Sequence, residues 1–181
     1  LVELGMFDEA KHAFETSLML NPMSFESKFN LAKVASRSGD SKLAIEYLEE
    51  AKSIGLARNQ RQLDMLDLQL GIDYLISGRL KEGWELYEKG FSPEIPASLA
   101  RGPQRRFEVP MWNGQDLLPG QRLMIWREQG VGDEIRFAAL IPLLTDSIRK
   151  NLIVECDERL VEIFARSLQG IELHSLRVEL R

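Results

Sequence analysis

Cysteine is nearly absent: Cys156 is the single one in 181 residues. It has no partner for an internal disulfide, which points to a reducing, cytoplasmic setting. There is no thiolate cluster, and His12 and His174 stand far apart in the sequence. No metal-ligand spacing results, so a zinc-type site is not expected. Long hydrophobic runs are missing too. Nothing approaches the ~18 apolar residues that span a bilayer, so no transmembrane segment is expected. Positive charge is not in excess. Residues 1–99 carry 11 basic and 16 acidic side chains, and the remainder carries 12 of each. That balance argues against a nucleic-acid partner. An initiator Met and a leader are lacking as well. Leu1 begins in mid-pattern, so a chain truncated at both ends is the expectation.

What is present is an internal repeat. "LGMFDEAKHAFETSLMLNP", "SGDSKLAIEYLEEAKSIGL" and "SGRLKEGWELYEKGF" align. Gly39 follows Gly5 by 34 positions and Gly78 follows Gly39 by 39. About one helical turn is thus inserted before the third unit. Each unit places a glycine in a turn, then a small residue five positions on: Ala10, Ala44, Gly83. A large residue follows (Phe14, Leu48, Tyr87), then another small one (Ser17, Ala51, Gly90). Small side chains let paired helices approach closely. Over residues 1–91 this resembles the tetratricopeptide repeat family, in about two and a half units. The resemblance implies a helical solenoid that binds a protein or peptide partner. Asn30, Lys33 and Arg37 lie at helical spacing on the first helix of unit two. In that family such positions tend to face the concave groove, where cations could grip a partner's carboxylate. A merely solvated helix face fits the same residues. Unit three has Leu68, Ile72 and Leu75 at comparable positions.

Residues 92–120 form a proline-rich linker, with Pro93, Pro96, Pro103, Pro110 and Pro119. Trp112 is its large apolar anchor. From 121 the pattern changes. "QRLMIW", "NLIVECD" and "IELHSL" read as strands, with helical runs between them. Pro142 should kink or split the first helical run. Gly170 sits where a helix stop belongs. Strand–helix–strand–helix–strand predicts a parallel, Rossmann-like sheet over residues 121–181. The expected class is therefore α plus α/β: a solenoid followed by a partial Rossmann-like sheet.

The loop "WREQGVGDE" leaves the first strand and opens a helix. Glu128, Gln129, Gly130 and Gly132 lie in it, with Asp133 as a candidate N-cap. The two glycines would supply unusual φ in a tight corner. A dinucleotide fingerprint fails here, because Ile135 stands where its third glycine belongs. Three carboxylates in the loop also oppose a pyrophosphate. "MWNGQDLLPGQRLMIWREQGVGDEIRFAALIPLL" resembles the segment that follows tetratricopeptide repeats in bacterial proteins with a glycosyltransferase-like region. "GVGDEIRFAALIPLL" is more distantly similar to the motif opening the heptosyltransferases, which have the GT-B fold.

This resemblance implies an inverting glycosyltransferase as the parent protein. Asp133 would be its general base, with Glu128, Gln129, Gly130 and Gly132 forming a cleft loop. A nucleotide-sugar donor would sit on a second domain absent from these residues, so the fragment itself is expected to hold no cofactor and to catalyse nothing. The alternative is a non-catalytic scaffold whose α/β part keeps the fold without the chemistry. Trp84, Trp126 and Cys156 are expected in the core, and His174 at the surface.

Overall fold

The computed structural model describes residues 6–102, 105, 107–128 and 130–176. Gly5, Pro103 and Gln129, named above, lie outside them. The chain divides into two units, Leu1–Ala100 and Arg101–Arg181, and the division falls inside the proline-rich stretch.

The first unit is a helical solenoid. Its helices are α1 (Phe7–Leu20), α2 (Phe25–Arg37), α3 (Ser41–Ser53), α4 (Gln60–Ile76) and α5 (Leu80–Tyr87). A 3₁₀ turn follows at Glu88–Phe91. The starts of three helices are set by short polar side chains. Ser24, Asp40 and Asn59 accept from the N–H groups of Ser27, Leu43 and Gln62. Each thereby satisfies one of the donors a helix start leaves free. Gly39 and Gly78 turn the chain between paired helices at φ 90° and 85°, a region costly for any side chain. Helix α4 has 17 residues where α2 has 13, which locates most of the extra turn.

Phe25, Phe29, Ala32, Leu48, Ala51, Leu56, Leu66, Leu70 and Tyr74 form the solenoid core. Each large apolar side chain fully buried there contributes about 1.5–3 kcal/mol. The repeat's small positions serve the expected purpose. Ala10 and Ala44 are wholly buried. At α4 against α5 only glycine fits. A Cβ on Gly71 would lie 2.7 Å from Tyr87 N, and one on Gly83 would lie 2.8 Å from Leu75 Cγ. Trp84 departs from the expectation: it is 43% exposed on α5, edge-on to Tyr87. The close approach of α5 to α4 is made through Gly83 and leaves Trp84 on another side of the helix.

The second unit holds a three-stranded sheet: β1 (Leu123–Ile125), β2 (Leu152–Asp157) and β3 (Glu172–Leu176). The order is β1-β2-β3 and both pairings are parallel, as the alternation of strands and helices predicts. Between β1 and β2 lie α6 (Val131–Ala138), a 3₁₀ turn at Ile141–Leu143 and the short α7 (Asp146–Arg149). Pro142 opens that 3₁₀ turn and so splits the helical run. Between β2 and β3 runs α8 (Val161–Ser167), and Gly170 turns the chain at φ 79°.

Alternate residues of β2 face the core. Leu152, Val154 and Cys156 pack with Leu123, Ile141, Ile148, Leu160, Phe164 and Leu168. Trp112 and Leu117 from the proline-rich stretch pack against the same cluster. Burial holds the Cys156 thiol above its usual range, and the nearby Glu134 charge adds to this. That fits an inert apolar role. His174 is exposed on β3 and pairs with Glu172.

Candidate functional site

Two places hold the sequence-derived candidates. One is the solenoid surface on α2. Asn30 and Lys33 are half-buried there and Arg37 is exposed. Helix α4 lies beside α2, bridged by a bond from Gln62 Nε2 to Glu26 Oε1 of 3.2 Å. On α4, Ile72 and Leu75 are half-buried, but Leu68 is only 5% exposed and does not face an open groove. One turn before it on the same face is Asp64. Ser92 Oγ donates to Asp64 at 2.5 Å, Gln60 donates at 2.8 Å, and Lys89 Nζ lies 3.5 Å away. The turn after α5 packs on α4 and closes this face. Burial opposes the charge on Asp64, but the bonds from Ser92 and Gln60 and the Lys89 charge hold its carboxyl below the usual range.

Between α2 and α4 lies Asp73, wholly buried. Burial raises its pKa, and hydrogen bonds from Ser36 and Gln69 only partly offset this. Its Oδ1 has no partner among the described residues.

The other place is the carboxyl end of β1 and β2. Gly130, not Asp133, occupies the N-cap position of α6; Asp133 is the third residue of the helix. Gly130 has an ordinary extended backbone, with φ −75° and ψ 167°. Gly132 lies within the helix and also has no positive φ. A Cβ on either would meet no atom within 4 Å. The corner is thus made by an ordinary helix start and not by left-handed glycines. Asp133 is half-buried, and its side chain has no bond or ion pair to another described residue.

The surrounding carboxylates are all engaged. Arg127 stands 3.1 Å from Glu134 Oε1 and 3.2 Å from Asp157 Oδ2, and all three side chains are under 10% exposed. Glu134 also accepts the Asp157 N–H at 2.7 Å. Arg159 donates to Asp157 from Nε and Nη2 at 2.8 and 3.1 Å. Those bonds, with the Arg159 N–H and the Arg127 charge, hold the Asp157 carboxyl far below its usual range. Arg101 grips Glu128 with both Nε and Nη2, and Arg105 donates to Glu155. Four arginines thus meet four carboxylates. Trp126 is half-buried, its ring 5.3 Å from that of Phe107.

Sequence reasoning singled out the loop with its carboxylates Glu128, Asp133 and Glu134, but not Arg101, Arg105, Arg127, Glu155, Asp157 or Arg159. One signal was available. Glu155 and Asp157 interrupt an apolar strand, and a buried charge needs a partner.

One helix pair of the solenoid is similar to a known family. Residues 25–54, which contain α2 and α3, match the tetratricopeptide repeat. The chain also resembles Protein FlbA of Caulobacter vibrioides, at 34% identity over 169 residues. The match takes in 91% of this chain and 27% of that protein, so the chain spans about a quarter of the relative's length. No solved structure matches.

Proposed function

We propose that this chain is a protein-interaction module: a tetratricopeptide solenoid that receives a partner on α2, carried on an α/β unit that acts as scaffold. The observation that supports this most directly is the match of residues 25–54, which hold α2 and α3, to the tetratricopeptide repeat. On α2, Lys33 and Arg37 lie at helical spacing inside that match, at positions the family resemblance would turn towards a groove. At the strand ends, the arginines and carboxylates neutralise one another. The partner is a peptide with carboxylates for those cations, met in the cytoplasm. Fluorescence anisotropy with labelled acidic peptides tests the reading. Binding should weaken with salt, and Lys33→Glu with Arg37→Glu should cost at least about tenfold in Kd. Equal binding by wild type and the charge-reversed variant would defeat it.

A second reading rests on Asp133. It stands in the first turn of α6, beyond the carboxyl end of β1, where open α/β sheets place their ligands. In a longer protein that carried this chain it would be the general base of an inverting glycosyltransferase acting on a nucleotide-sugar donor, with Glu128, Gln129, Gly130 and Gly132 as its cleft loop. Asp133→Asn in that longer protein should then cut transfer by roughly 10²–10⁴ while leaving melting unchanged. Unchanged transfer would leave the scaffold reading alone.

A further inference from the structure

We propose that the strand-end mouth of the α/β unit is a guanidinium-binding site, filled in this chain by its own Arg105. Glu155 lies on the central strand β2, and its side chain is 6% exposed. A carboxylate so placed is costly unless a cation meets it. Arg105 Nη1 donates to Glu155 Oε1, and the Arg127 N–H reaches the same oxygen at 3.4 Å.

Around Arg105 stand two aromatic rings. Its guanidinium carbon is 5.0 Å from the Phe107 ring centre and 5.6 Å from that of Trp126. A cation held on a buried acid and lying near two aromatic rings is what this chemistry selects. A planar fork suits it better than an ammonium, because it can lie against a ring while its N–H groups point at the carboxylate. Arg105 itself comes from the proline-rich stretch, 50 residues before Glu155. A second guanidinium, that of Arg101, is held on Glu128 nearby in the chain. The same stretch therefore sends two arginines to the carboxyl ends of the strands.

This assigns a ligand class to the mouth. It takes a guanidinium cation, and Arg105 is the resident one. The inference is independent of what binds the solenoid, and holds whether or not α2 receives an acidic peptide.

Chemical rescue tests it on the 181-residue chain. Arg105→Ala should lower the melting midpoint. n-Propylguanidinium at about ten times its Kd should raise the variant's midpoint by about 3–6 °C, the shift that ligand linkage gives for a chain of this size. n-Propylammonium at equal ionic strength should raise it by less than half as much. Wild type should not respond, because its site is filled. The double variant Arg105→Ala, Glu155→Gln should not respond, because the acceptor has lost its charge. If Arg105→Ala does not fold unaided, recovery of its folded circular-dichroism signal in n-propylguanidinium is the same supporting result. No rescue, an equal response to the ammonium, or a response that survives Glu155→Gln would overturn the proposal.

Discussion

Two residues show how tightly the solenoid is specified. Gly71 and Gly83 stand at the point where α4 and α5 approach. Each would cost roughly 0.5–1 kcal/mol against alanine in an open helix. Here the order reverses, because an added Cβ at Gly71 would press on the backbone of Tyr87 and Gly83. Gly71→Ala should therefore destabilise by about 1–3 kcal/mol despite its better helix propensity; denaturant unfolding with a rise in midpoint would refute the packing.

Asp73 is a third such residue. Its raised pKa means the folded state holds a proton that the unfolded chain releases more readily. Its contribution is therefore most favourable at acid pH, below the ordinary aspartate value, and is lost as pH rises through the folded pKa. Asp73→Asn keeps an oxygen for Gln69 and removes that loss. Its melting midpoint should exceed wild type at pH 7, and the gap should close towards pH ~4. A deficit at pH 7 would show that the charged form is needed.

At the scale of elements, local signals read well and long-range pairings did not. Pro142 marked the break between α6 and α7, because proline cannot continue the ladder. The change of period marked the parallel strands. The start of α6 was misplaced by three residues, since Asp133 and Gly130 are both acceptable caps and only the backbone decides. The ion network was illegible for a different reason. Arg105 finds Glu155 across 50 residues, and Arg127 finds Asp157 across 30. No local pattern encodes such a pair.

Arg127 joins the start of α6 to the end of β2, so its removal should loosen both. Arg127→Ala should cost about 3–5 kcal/mol, as for a buried pair left half-made. Hydrogen exchange should speed up in α6 before the rest of the sheet. A loss under about 1 kcal/mol with uniform exchange would show that the pair acts as an exposed one. Acid should act in the same direction. The depressed pKa of Asp157 means its stabilisation is present above the ordinary aspartate value and is lost as pH falls through the folded one.

At the scale of the whole molecule, a helical repeat region and a small parallel sheet share one chain. No helix among the described residues is long and apolar enough to cross a membrane. The repeat class was legible because glycine, small and large positions recur with fixed spacing. Asn30, Lys33 and Arg37 are legible only as one helix face, since spacing says which side chains align and not what meets them. In the proposed function, partner recognition belongs to α2 and not to the strand ends. The most direct measurement is the Kd of one acidic peptide for three forms of the 181-residue chain: wild type, Lys33→Glu with Arg37→Glu, and Asp133→Asn. The charge-reversed α2 should lose at least about tenfold, and Asp133→Asn should change nothing. A loss on Asp133→Asn with the α2 variant unaffected would contradict that assignment.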